Sequence, residues 1–299
     1  MPIQEHRYDD LSSFWQFITP GGELVRQIGA TALPIFRGQG NASWDLIPSV
    51  LRPDVVEQYA RRRSVYTQTD HIVFFERELL DAYIHHCDEM GLAIPGDSLD
   101  FRRNAEFFSF AEQFGLDGNE WPTDCFYPVL ASAQHHGVPT RLLDMTKSSF
   151  VAAYFAGMQA LNLPEKDSPQ DIAIWAVDAR KVDGVRHKTG NTINEIKFVS
   201  VPGVTSQNLA AQKGCFLLTK WLSGQSRHRD FERGPSVDEI LNASEVVLHK
   251  VMLSFGHVGK LIFKCRDYGI SAATLFPGYD GAGRAAREFK LAKRHSGVL

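Results

Sequence analysis

Residues 133–156, AQHHGVPTRLLDMTKSSFVAAYFA, set the strongest constraint on the fold, because a polar, turn-like run leads there into a wholly apolar helix. Phe150, Val151, Tyr154, Phe155 and Met158 fall on every face of a 3.6-residue period, so that helix must lie inside a core and not on its surface. Ser148 or Ser149 stands where a hydroxyl accepts a hydrogen bond from a free backbone N–H of the first turn. The run before it carries His135, His136, Thr140, Arg141, Asp144 and Thr146. A polar loop that feeds a buried helix lies near the core itself, and charge there has to be paired or hydrogen-bonded. Two readings follow. Arg141 and Asp144 pair with each other and lock the loop, or Arg141 holds an anionic ligand while the hydroxyls of Thr140, Thr146 and Ser148 add uncharged contacts.

The other segments alternate between strand and helix patterns. Residues 9–27 carry a helical repeat with Leu11, Phe14, Trp15, Phe17 and Ile18 on one side, startable by Asp9, Asp10 or Ser12 and interrupted at Pro20 and Gly21-Gly22. Leu33, Ile35 and Phe36 read as a short buried strand ending at Arg37-Gly38-Gln39-Gly40, where glycine lets the backbone turn or approach a ligand. Residues 54–120 show apolar residues at three- and four-residue intervals and form a helical layer or insertion. Strands are expected at 172–177, 196–201, 215–218 and 246–253, a helix at 256–268, and a final helix at 282–291 capped by Asp280. This alternation around a strand core implies a single mixed α+β domain spanning residues 1–299.

Composition narrows the function classes. A formal charge of −3 gives no general affinity for nucleic acid, and the triplet Arg61-Arg62-Arg63 reads as a solvated helix face. Cys87, Cys125, Cys215 and Cys265 lack CxxC or Cys/His ligand spacing, so neither a metal site nor a disulfide framework is indicated. His85 and His86 point about 100° apart on a helix and cannot easily share one ion. No apolar run reaches the roughly 20 residues of a membrane span, and a basic start followed by an apolar stretch is missing from MPIQEHRYDD, so a cytoplasmic protein is expected. Ser148, His136 and Asp144 lie too close in sequence for a hydrolase triad, and no GxSxG elbow is present. Nor is there a Lys-containing glycine loop for phosphoryl transfer.

Five segments in order, IFRGQG at 35–40, WDLIPSVLR at 44–52, the run at 133–156, AAQKGCF at 210–216 and LFPGYDG at 275–281, resemble those of FRG-domain proteins. The name-giving Phe-Arg-Gly stands at Phe36-Arg37-Gly38, and Met145 occupies a place where such proteins often have Trp. The order of segments also resembles, more weakly, the ADP-ribosyltransferase folds that bind NAD. That likeness implies that Arg37 grips a dinucleotide, that Thr146 and Ser148 shape a nicotinamide pocket, and that Gln212 falls near the place of a catalytic glutamate. A neutral amide stabilises a cation-like transition state poorly, so Asp144 or Asp280 would then have to supply the charge.

The resulting expectation is a polar cleft for a nucleotide or other small anionic ligand, with NAD as a candidate substrate. Asp144, Gln212 and His136 are its candidate catalytic groups. Arg37, Gly38, Gln39, His135, Thr140, Arg141, Thr146 and Ser148 are its candidate binding groups. The competing expectation is a module that senses a ligand without turnover or binds a protein through the 54–120 helices.

Overall fold

The computed structural model describes residues 3–59, 71–113, 121–189, 192–203, 207–222 and 235–297. Its framework is one eight-stranded sheet: β1 (Ile3–Tyr8), β2 (Pro34–Gln39), β3 (Leu142–Thr146), β4 (Asp171–Asp178), β5 (Arg186–Thr189), β6 (Thr192–Val199), β7 (Gly214–Leu222) and β8 (Leu248–Ser254), in the order β1-β8-β4-β2-β3-β7-β6-β5. The edge pair β1–β8 is parallel, and the other pairs are antiparallel. Around it lie the helices α1 (Leu11–Ile18), α2 (Glu23–Ile28), α3 (Pro53–Tyr59), α4 (His71–Glu89), α5 (Leu99–Gln113), α6 (Tyr127–His135), α7 (Ser149–Leu161), α8 (Ala179–Val182), α9 (Gln207–Ala211), α10 (Val237–Asn242), α11 (Val258–Asp267), α12 (Ala272–Leu275) and α13 (Tyr279–Ser296). The architecture is mixed α+β, as the strand and helix patterns require. The Arg61–Arg63 triplet lies outside the described residues, as do parts of the 54–120 region.

Strand β4 shows how period-two sequence divides the interior. Ile172, Ile174 and Ala176 join the core under α1 and α7, while Trp175 and Val177 join a second core on the opposite face with Ile35, Met145 and Ile240. Both faces are covered, which is why DIAIWAVD is apolar almost throughout rather than alternating. A third cluster packs α4, α5 and α6, through Leu80, Phe101 and Leu130, against Leu142 of β3 and Phe216 and Leu218 of β7. The helical layer therefore rests directly on β3, which lies inside the polar run, and on its neighbour β7.

Helix α7 is buried as its composition demands, and Ser148 caps it by accepting from the Val151 backbone N–H. The polar run before it is not a loop throughout: residues 142–146 form β3, because the neighbouring β7 supplies a ladder from Leu142 to Thr146. The helical repeat at 9–27 splits at Pro20 into α1, capped by Asp10, and α2. Asp280 is not the cap of the last helix. Gly278 occupies that position at φ 107°, and Asp280 sits in the first turn, paired with Arg284 at 2.8 Å. Among the described residues no helix is long and apolar enough to cross a membrane.

Two histidines tie the parallel edge to the sheet. His249 of β8 is 1% exposed, and its Nδ1 lies 3.3 Å from His6 Nε2 of β1. Burial, and then the neighbouring His6, push the His249 imidazole down to about 4 from its ordinary 6.5. The unfolded chain therefore takes up a proton at this residue that the folded chain refuses. Its contribution to stability is intact above pH 6.5 and is lost as pH falls towards 4, a decrease on the order of 2 kcal/mol. Thermal melts across that interval should show the fall, and His249→Leu should flatten it. An equally steep profile in the variant would assign the loss to other groups.

Candidate functional site

Strands β2 and β3 are neighbours that share a single bridging pair, Phe36 with Thr146. On their outer edges both are fully laddered, β2 to β4 from Pro34 to Gln39 and β3 to β7 from Leu142 to Thr146. Beyond Phe36 the two strands splay, and the Arg37 side chain fills the opening. Its Nη1 donates to the Asp144 carbonyl oxygen at 2.7 Å and stands 3.8 Å from Asp144 Oδ2. An arginine thus takes up a strand carbonyl that would otherwise lack its ladder partner. The Arg37 side chain is only 13% exposed, and its Nε is buried without a hydrogen-bond partner. Burial lowers its pKa to about 10, Asp144 pushes back upward and Arg52 adds to the lowering, so the group is still charged at neutral pH.

A cavity of about 550 Å³ opens at this seam, bounded by β2, β3, the start of β7, α6, α7, α9 and α13. Its apolar walls include Phe36, Phe155, Met158 and Phe276, and its polar lining includes Arg37, Asp144, Gln134, Asn208, Gln212, Arg284 and Glu288. That is the composition of a small-molecule site: apolar surface for contact area and a few polar groups for orientation.

The polar groups are held in short chains. Gln134 Nε2 donates to Asp144 Oδ1 at 2.5 Å, and Gln134 Oε1 accepts from the Thr140 hydroxyl. His135 Nε2 meets the Asn208 amide at 2.6 Å. Its imidazole pKa is lowered, first by burial and then by His136, with Asp144 opposing, so it is neutral at pH 7. Gln212 donates from Nε2 to Leu275 O at 3.2 Å, and its backbone carbonyl accepts from the Thr146 hydroxyl at 2.7 Å. On the far wall the Tyr154 hydroxyl donates to Glu288 Oε1 at 2.6 Å. Burial and that carboxylate raise the phenol pKa, which keeps it a neutral donor. The Arg284 guanidinium lies over the Phe276 ring, 4.5 Å from its centre.

Arg37, Gly38, His135, Asp144, Thr146 and Gln212 therefore line one cavity from three distant parts of the chain. Five expected members do not line it. Arg141 is 2% exposed and pairs with Glu76 of α4, not with Asp144. Arg141 lies just before β3, outside its ladder, where Glu76 takes both its backbone N–H and its guanidinium, while the Asp144 carboxylate is held by Gln134 of α6. Thr140, 1% exposed, acts from behind through Gln134. Gln39 accepts from Trp175 Nε1 at 2.6 Å and donates to Asp45 O at 3.0 Å, which commits both ends of its amide. Ser148 serves the α7 cap. His136 ends α6 with an exposed ring stacked 6.5 Å from Tyr83, so of the two histidines His135 faces the cavity. Asp280, the alternative source of negative charge, is occupied by Arg284.

Gln134, Asn208, Tyr154, Arg284 and Glu288 were not foreseen. Arg284 and Glu288 lie four residues apart on α13, on one helix face, and Asp280 precedes them at the same interval. That charge row was the available signal. Gln134 adjoins the histidine pair and differs from it only in lacking a titratable group. Among the described residues no group of three His, Cys, Asp or Glu side chains is placed to hold a metal ion.

No curated protein and no solved structure matches the chain. The model of the FRG domain family matches residues 33–163, a span that takes in β2, the helical layer, β3 and α7. Phe36-Arg37-Gly38 is the set of residues that opens the seam, caps it with a guanidinium and seats α7, and the chain carries an FRG domain over residues 33–163.

Proposed function

We propose that the seam cavity binds an anionic nucleotide, with its phosphate at Arg37 and its flat ring against the Phe155 and Phe276 wall. The observation that carries this reading is the state of Arg37: a charged, largely buried guanidinium whose Nε has no hydrogen-bond partner and whose nearest carboxylate oxygen is 3.8 Å away. Such a group gains from a second anion, because charge-assisted hydrogen bonds recover the solvation that burial removed. The weak likeness to ADP-ribosyltransferases makes NAD the first ligand to try. Turnover would take its negative charge from Asp144 or Glu288, the two carboxylates that line the cavity, while the neutral Gln212 would hold hydroxyls.

A reading without turnover, as a sensing or protein-binding module, has its own support. The amide of Gln212 is already engaged with Leu275 O. Met90, Leu92 and Leu99 present exposed apolar side chains where α4 gives way to α5, a surface a protein partner would cover.

Calorimetry of the full chain against NAD, ADP-ribose and ATP, followed by a nicotinamide-release assay, separates these readings. Arg37→Ala should weaken binding by about 1.5–3 kcal/mol, roughly ten- to a hundredfold. Release that disappears in Asp144→Asn supports an enzyme, and binding without release supports a module. A folded protein that binds none of the three ends the nucleotide reading.

A further inference from the structure

A second cavity, of about 460 Å³, lies on the other side of the Tyr154–Glu288 hydrogen bond, between α11, the residues entering α12, and α13. Of the residues that line it, Tyr154 alone belongs to the stretch matched by the FRG family. Its walls are apolar, formed by Ile262, Phe263, Ile270 and Phe289. Phe263 and Phe289 meet edge to face at 5.8 Å, and Phe289 keeps 43% of its surface exposed although it belongs to this aromatic pair.

Charge is distributed unequally around this space. Glu288, the carboxylate in its wall, already accepts from the buried Tyr154 hydroxyl. Arg266, in the last turn of α11, lies over the Phe289 ring 5.5 Å from its centre. No carboxylate among the described residues forms an ion pair with it. An apolar chamber with one uncommitted cation at its rim complements a molecule with a hydrocarbon body and a single negative charge.

We propose that this second cavity is a binding site for an amphipathic monoanion, a free carboxylic acid with a medium-length hydrocarbon chain. Its carboxylate pairs with Arg266, and its chain lies between Phe263, Ile262 and Phe289 and points towards Tyr154. The proposal is independent of the nucleotide reading, because Arg266, Ala273 and Ala286 line the second cavity and not the first.

The test uses the full chain and decanoate as probe, with decanol as the uncharged control. Calorimetry should show one decanoate site and at least tenfold weaker binding of decanol. Arg266→Ala should bring decanoate down to the level of decanol. Ala286→Trp, which fills the chamber from an exposed helix position, should abolish both, and Ala273→Trp does the same if the first variant fails to fold by circular dichroism. Nucleotide titrations of these variants should match the parent, which separates the two sites. The proposal is overturned if decanoate does not bind the folded parent, if decanol binds as tightly, if a folded chamber-filling variant still binds decanoate, or if light scattering shows that this face is closed by a second copy of the chain.

Discussion

Glu76→Ala is expected to lower the stability of the fold by about 3–5 kcal/mol. Glu76 is 1% exposed, and its carboxylate receives the Arg141 backbone N–H at 2.7 Å, the Arg141 Nε and the Trp121 indole N–H at 2.9 Å. One side chain of α4 thus satisfies the entry to β3, a buried guanidinium and an indole of the helical layer. Its removal takes from Arg141, itself 2% exposed, the buried carboxylate that its guanidinium and backbone N–H share. Glu76→Gln should fall between, since the amide still accepts hydrogen bonds but carries no charge. Chemical denaturation reads the difference directly. Asp144→Asn is the control and should change stability by less than about 1 kcal/mol, because the Asp144 side chain is 64% exposed and meets Arg37 at 3.8 Å. The reverse ranking, with Asp144→Asn the more damaging, would mean that Arg141 depends on Asp144 after all.

The same comparison shows where the sequence was legible. The need for Arg141 to be paired could be read from its place before a buried helix, and the structure meets that need. Its partner could not, because Glu76 is 65 residues away and one of many acidic residues on a helix that reads as amphipathic. Asp144, inside β3, and Arg141, just before it, take separate partners in the helical layer, Gln134 and Glu76. Helix α7, its Ser148 cap and the central strand 171–178 were legible because apolar periodicity and capping are local properties. Arg37 could be placed at a strand end, but the splaying of β2 from β3 depends on pairing partners distant in sequence. Arg284 and Glu288 reach the cavity only because α13 returns to the front of α7, and nothing local in their helix declares that return.

The cavity residues also divide into those that hold the site and those that remain available to a ligand. Thr146 spends its hydroxyl on the Gln212 carbonyl and on the Ser148 backbone N–H, so it fixes the junction between β3 and α7. Gln134 fixes Asp144 in the same way. Arg37 keeps bonding capacity, as does the carboxylate oxygen of Glu288 that Tyr154 does not use. Those two groups come from different elements, Arg37 from β2 and Glu288 from α13.

Gly38→Ala should destabilise the fold by about 3 kcal/mol or more, at the upper end of what overpacking costs. The demand on this glycine is contact, not backbone conformation. A Cβ built at Gly38 overlaps the Ala152 carbonyl oxygen and stands 2.7 Å from the Ala156 backbone nitrogen, and one at Gly40 stands 2.6 Å from the Ala160 nitrogen. Helix α7 thus lies backbone to backbone on β2, with Ala152, Ala156 and Ala160 presenting small side chains along that face. Neither backbone can move alone. Strand β2 is held by its ladder to β4, and α7 is enclosed by the sheet and α11, where Gly157 in turn makes room for Ile262. The added methyl must therefore push the strand and helix apart and open the core formed by Phe36, Val151 and Ile174. Because Arg37 is the next residue, the displacement should also loosen its 2.7 Å bond to the Asp144 carbonyl and weaken whatever ligand Arg37 holds. Arg37→Ala, by contrast, should weaken any nucleotide binding roughly ten- to a hundredfold while leaving the α7 packing intact. Melting temperatures measured alongside ligand titrations for both variants distinguish the two roles. A Gly38→Ala protein that melts with the parent would show that α7 does not rest on β2 as described.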